Sequence, residues 1–199
     1  MKIALDAGHS TRRPGAQGGG LHEEVLTEYI VERMGHYVRQ AGHEPVFTRN
    51  DNLLIRAVTA VREQCDGFLC VHINAASDPM AHGTESYYRL GDDRSAVIAK
   101  RLIQLVVQNW NAKPDPPGSP LLVCRKAKPD TQSQHSGGLA VLKGTWRTMP
   151  AVLWEVCFIS NPNDQALLRN AHFLERMACE GVNSFILQLD LLRQSPAQP

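Results

Sequence analysis

The chain has 199 residues, 43% of them hydrophobic and 21% charged, which excludes an intrinsically disordered chain and suits one domain with a proper core. Twenty-one lysines and arginines against twenty aspartates and glutamates leave a formal charge of +1, so no global field draws the protein toward nucleic acid or an anionic membrane. Five cysteines (Cys65, Cys70, Cys124, Cys157 and Cys179), an odd number with no Cys-x-x-Cys pair, exclude a disulfide framework and point to synthesis in a reducing compartment.

Met1-Lys2 runs straight into an apolar strand, without the charged start, apolar stretch and small-residue cleavage site of a secretory signal. No apolar run approaches the roughly 20 residues of a membrane span. The expectation is a cytoplasmically synthesised chain without a signal peptide or membrane insertion. Residues 2–6 read as a short strand stopped by Gly8, and residues 15–20 as a loop, since three successive glycines have too much backbone freedom for a helix. Val25, Leu26, Tyr29, Ile30, Met34, Tyr37, Val38 and Ala41 recur at helical spacing, closed by Gly42. Residues 46–48 form a strand, and Ile55, Val58 and Val61 mark a second helix. The continuous apolar run 67–73 is that of a buried parallel strand.

Residues 84–88 predict another strand, and Val97, Ile98, Leu102, Leu105 and Val106 a third helix. From 111 to 138 five prolines and scattered lysines read as a long surface excursion. Residues 139–142 and 151–154 read as short strands, and 163 to about 192 as one or two helices. One domain over 1–193 is expected, with a disordered tail over 194–199. Alternation of strands and helices predicts a three-layer α/β fold with a largely parallel sheet.

Open α/β sheets bind ligands at the carboxyl ends of their strands. His9, His72 and Glu155 stand at three such ends, and Glu23 opens the first long helix, just after the glycine loop. Two imidazoles and a carboxylate, with one position left for water, form the donor set of a catalytic zinc site; the remaining carboxylate can serve as general base. Each residue alone has a plainer reading. A first-turn carboxylate is favoured by the helix dipole, His72 fits a core histidine, His9 a turn residue, and Glu155 an ion-pair partner. No His-Glu-x-x-His pattern is present.

The surrounding blocks raise the combination above its parts. Ile3-Ala4-Leu5-Asp6-Ala7-Gly8-His9, then Gly15-Ala16 with Glu23-x-x-Leu26-Thr27, Val46-Phe47-Thr48-Arg49 with Arg56, Val71-His72-Ile73-Asn74-Ala75, Gly83-Thr84-Glu85, and residues 150–161 around Glu155 follow one another in order. In this the sequence resembles the zinc-dependent N-acetylmuramoyl-L-alanine amidases of the amidase-3 type, from residue 3 to about 189. The resemblance implies a twisted, mixed sheet of about six strands flanked by helices, phosphorylase/hydrolase-like. It implies Zn2+ on His9, Glu23 and His72, with Glu24 as the alternative register for the carboxylate ligand, and Glu155 as catalytic base.

Residues 125–128 resemble the family's Arg-Gly-Val-Lys loop, with Lys126-Ala127 in place of Gly-Val, and Ser10 and Cys157 stand where the family usually has glycine. Arg125, Lys128 and Glu85 are expected to contact substrate, Glu85 reading equally as an exposed strand glutamate. The implied partner is peptidoglycan, cut at the amide joining N-acetylmuramic acid to L-alanine, in the manner of an endolysin that reaches the wall after release. A zinc peptidase acting on the stem peptide and a silent wall-binding module are the rival readings. All five cysteines are expected to be thiols, with Cys124 beside Arg125 and Lys126 the most reactive, and Cys157 on the same strand face as Glu155.

Overall fold

The computed structural model describes residues 1–135 and 137–194. Its elements are β1 (Lys2–Ala7), a small hairpin of β2 (Gln17–Gly18) and β3 (Leu21–His22), α1 (Glu23–Gln40), β4 (Glu44–Phe47), α2 (Leu53–Arg62), β5 (Gly67–Asn74), β6 (Thr84–Tyr88), α3 (Asp93–Ala112), β7 (Cys124–Pro129), a 3-10 turn (Asp130–Gln132), α4 (Ala140–Thr145), β8 (Ala151–Phe158), α5 (Pro162–Leu168) and α6 (Ala171–Gln194). The main sheet has six strands in the order β4-β1-β5-β8-β6-β7. The first four run parallel, β6 is antiparallel to β8, and β7 is parallel to β6. This is the mixed, largely parallel α/β fold that the alternation of elements predicts.

The strand period of two sorts side chains onto two faces. Ile3, Leu5, Leu69, Val71, Val152 and Trp154 pack under α1, α3 and α6, while Ala4, Phe68, Cys70, Ala151 and Leu153 pack under α2 and α4. Burial on both faces explains why the central strands read as continuous apolar runs. Among the described residues, no helix is long and apolar enough to cross a membrane.

Three expectations are corrected. Residues 139–142 are not a strand: Leu139 precedes α4 and its carbonyl accepts from the Lys143 amide. A four-residue apolar run carries too few periods to separate helix from strand. The excursion 111–138 is not wholly a loop, because Cys124–Pro129 add β7 to the edge of the sheet, where a proline at the strand end costs no ladder bond. Gln194 belongs to α6; the rest of the expected tail, 195–199, lies outside the described residues.

Close approach of α6 to the sheet rests on Gly181, where an added Cβ would fall 2.4 Å from Trp154 Cζ3, a fully buried ring. Gly181→Ala should therefore lower the thermal midpoint, by about 1–3 kcal/mol of overpacking. Gly35→Ala should cost less, because the atom it meets is the tip of the half-exposed Phe47 ring and alanine favours the helix by about 1 kcal/mol. Equal losses in thermal unfolding would contradict this packing.

Candidate metal centre and active site

The site starts from a buried arginine. Arg56, 2% exposed, donates through Nη1 to Asp6 Oδ2 (3.1 Å) and the Ala7 carbonyl (2.6 Å), through Nη2 to the His9 carbonyl (2.8 Å), and through Nε to the Asn50 carbonyl (2.5 Å). Asp6, fully buried, also accepts from Thr48 Oγ1 (2.8 Å) and the Cys70 thiol (3.1 Å). These bonds pin the turn after β1, where His9 has φ 64°, a left-handed conformation that costs a non-glycine residue free energy. Ser10 Oγ adds a 2.5 Å bond to Asp51. The sequence marked Thr48 and Arg56 only through family resemblance. A basic residue inside a helix gives no sign of which carbonyls it will reach.

His9 Nδ1 faces the Arg13 carbonyl at 3.2 Å, which leaves Nε2 turned to Glu23 Oε2 at 3.3 Å. His72 Nδ1 lies 3.0 Å from Glu23 Oε1. The two imidazole rings meet edge to face, centroids 5.0 Å apart. Glu23, nearly fully buried in the first turn of α1, also accepts from the amides of Ala16 (2.8 Å) and Ile73 (3.0 Å). One ligand atom from each of His9, Glu23 and His72 lies within 4.8 Å of the others, a convergent N, N, O set of the kind that holds a divalent metal. Glu24 is outside this group; its nearest basic neighbour is His22, at 4.0 Å. Two glycines make the approach possible: a Cβ on Gly8 would strike the His72 ring at 2.7 Å, and one on Gly15 would lie 2.4 Å from Glu23 Oε2.

The charges of the three groups are tightly coupled. Burial, reinforced by the neighbouring His72, holds His9 below the ordinary histidine range against the pull of Glu23. Burial alone would raise Glu23, but the hydrogen bond and charge of His72 keep it below the usual carboxylate range. Burial would lower His72, but its bond to Glu23 and the charge of Glu155 raise it.

Glu155 is the register partner of His72 across β5 and β8 and of Glu85 across β8 and β6. Its Oε2 is buried without a hydrogen-bond partner. Burial pushes its carboxyl up to about 8, opposed by His72 and aided by Glu23 and Glu85. His9, Glu23, His72 and Glu155 line a cleft of about 680 Å³ that also takes in Asp51 and Leu53 beside α2, Arg125 and Phe158 at the far side, and the segment leading into α4.

Glu85 is not the exposed glutamate that the plainer reading allowed. It is 2% exposed, and its Oε1 accepts from Tyr87 (2.7 Å) and Asn74 (2.9 Å), its Oε2 from Lys128 (2.7 Å) and Arg125 (2.9 Å). Burial would raise it, but Lys128, Tyr87 and Arg125 hold it below the usual range. Arg125 lines the cleft; Lys128 turns to Glu85 and the Tyr87 ring and is not among the lining residues.

All five cysteines are free. Cys157 does not share the face of Glu155. The ladder pairs His72 with Glu155 and Asn74 with Phe158, so β8 carries one extra residue there. That bulge turns Phe158 to the cleft and Cys157 into the core under the helices, where burial pushes its thiol well up. Cys124 is exposed, yet partial burial raises its thiol rather than lowering it, because Arg125 points away to Glu85.

The model of the N-acetylmuramoyl-L-alanine amidase family, amidase-3 type, matches residues 3–185. The chain belongs to that family. The amidase LytC of Bacillus subtilis is 28% identical over 180 residues, covering 88% of this chain and 33% of LytC. An endolysin of Bacillus phage SPP1 is 29% identical over 181 residues, covering 88% of this chain and 61% of the endolysin. The chain thus spans about a third of one relative and three-fifths of the other. Among solved structures, the catalytic domain of CwlV, an N-acetylmuramoyl-L-alanine amidase from Paenibacillus polymyxa, is 25% identical with a TM-score of 0.78, covering 95% of this chain and 98% of that one. AmiC2 of Nostoc punctiforme shares the fold at 23% identity and a TM-score of 0.81, covering 96% and 97%.

The raised Glu155 makes the stability of the metal-free protein depend on pH. The unfolded chain releases this proton near 4.5 and the folded chain near 8. The stability it contributes is therefore full below pH 4.5 and is lost as pH rises through 8. In chelated protein, Glu155→Gln should match the wild type near pH 5 and exceed it by up to about 4 kcal/mol near pH 9 in urea unfolding. A constant difference across that range would show that Glu155 is not desolvated.

Proposed function

We propose that residues 1–193 form one zinc-dependent catalytic domain that hydrolyses the amide between N-acetylmuramic acid and L-alanine in peptidoglycan. The observation that carries the reading is the placement of Glu155, whose buried Oε2 has no hydrogen-bond partner, beside the convergent His9, Glu23 and His72 set. Those three residues would hold Zn2+, with Glu23 fixed by two backbone amides and His9 oriented by the Arg13 carbonyl. A bound zinc ion supplies Lewis acidity to the scissile carbonyl and to the attacking water.

Glu155 acts as the base. Glu155 lines the cleft and its Oε2 makes no hydrogen bond to protein, so the carboxylate is free to accept the proton of the attacking water and return it to the leaving amine. A carboxyl raised to about 8 is a strong enough base once ionised and is still acidic enough to give the proton back. A cation held by its neighbours would lower it toward neutrality, where acid and base forms are both available. Arg125 contacts substrate, and Glu85 and Lys128 hold it in place.

The physiological reading is that of an endolysin. An endolysin of phage SPP1 is among the relatives, and five free thiols suit synthesis in a reducing cytoplasm followed by action on the wall after release.

Chelation should abolish lysis of purified sacculi and zinc should restore it. His72→Ala should lose bound metal and activity together, whereas Glu155→Gln should keep about one zinc per chain and lose about 10²–10⁴ in turnover. Mass spectrometry of the products should show free L-alanine amino termini and intact muramoyl carboxylates. Cleavage within the stem peptide would instead establish the peptidase, and full activity in metal-free protein would remove the zinc mechanism.

A further inference from the structure

Across the sheet, the site residues fall into a line. His9 follows β1, His72 stands on β5, Glu155 on β8, Glu85 on β6, and Arg125 with Lys128 on the edge strand β7. The metal-binding set occupies the β1–β5 side, and the base that serves the leaving amine occupies β8. A leaving peptide extending from the cluster along this line would cross β6 and reach β7.

At the β7 end stands a cation built to stay in place. A bulge in β7 puts three residue steps, Cys124 to Ala127, against the two from Thr84 to Ser86, so Arg125 and Lys128 both reach Glu85. Arg125 Nε is committed to Glu85 Oε2, Nη1 makes a 3.3 Å contact with the His82 carbonyl, and the guanidinium lies over the Phe158 ring at 4.9 Å. Nη2 has no partner among the described residues, and Arg125 lines the cleft. Glu85, with all four of its contacts made by protein donors, is fully engaged, so it cannot itself receive substrate. Lys128 and Arg125 share Glu85, while Asp164 and Glu155 also lie within electrostatic reach of Arg125 and Lys128 respectively. A planar guanidinium fixed along one edge, with its other edge open to a cleft and an aromatic face beneath it, is a receptor for a carboxylate.

We propose that Arg125 binds a free carboxylate on the leaving stem peptide and makes it a determinant of specificity, an inference that rests on the amidase reading. The distance selects which carboxylates qualify. From β8 to β7 is two strand spacings, about 10 Å, and an extended peptide covers that in about three residues. The carboxylates within reach are those of the second and third residues of the stem, not the end of a longer peptide.

The test compares muramoyl tripeptides whose second-residue carboxylate, C-terminal carboxylate, or both are free or amidated. The wild type should prefer one free carboxylate by about 10- to 100-fold in kcat/KM, the range of a hydrogen bond to a charged group. Arg125→Gln should slow the carboxylate substrates more than the fully amidated one, so that the ratio of their kcat/KM values falls to within about twofold of one; Arg125→Lys should keep part of the preference. Equal slowing of both substrates, or an intact preference in Arg125→Gln, overturns the proposal. Turnover of the amidated substrate shows that each variant is folded. A wild type that releases no alanyl peptide from any of these substrates fails the amidase reading itself, and one that cuts all of them equally fails only the role of Arg125.

Discussion

The site hangs on a buried ion pair. Arg56 and Asp6 are both removed from solvent, and removing one partner of such a pair costs about 3–5 kcal/mol, so neither can be left alone. Their position turns that constraint to use. Asp6 sits two residues before the turn that carries His9, and Arg56 comes from α2 on the opposite side of it. With its guanidinium shared among Asp6 and three carbonyls, the arginine fixes a turn that would otherwise relax out of its positive φ. His9, one member of the convergent set, is thereby held in place.

A second carboxylate plays the same part for the two histidines. Glu23 spans both histidines while two backbone amides hold its oxygens. Preorganisation of this kind moves the cost of gathering three polar groups into folding, where the apolar sheet and helix layers repay it. The opposite treatment of Glu155 has the opposite result. With no hydrogen bond to its buried Oε2, it is pushed up to about 8, whereas the well-bonded Glu23 stays below the usual carboxylate range.

Two bulges shape the rest of the cleft. In β8 the extra residue brings Phe158 round to the cleft while Asp164 Oδ2 accepts the Phe158 amide at 2.7 Å and the Gly83 amide at 2.8 Å, tying β8 to the start of β6. In β7 the extra residue lets two cations three positions apart meet one carboxylate. Both lie beside the functional residues, where a break in alternation re-aims side chains.

The sequence by itself determined the fold class, the central apolar strands and the long helices, because periodicity is a local property written in one stretch of chain, and it offered His9, Glu23 or Glu24, His72 and Glu155 as candidates through strand-end position and family resemblance. It did not settle residues 139–142, too short to show a period, nor β7, whose polar residues become a strand only because β6 offers an open edge. The choice of Glu23 over Glu24 depended on helix register against β5. The roles of Asp6, Arg56 and Glu85 depended on partners 40 to 50 positions away. The face of Cys157 depended on an extra residue in a ladder, which no single strand reveals. Tertiary structure decided these, since each is a contact between segments that the chain brings together only when it folds.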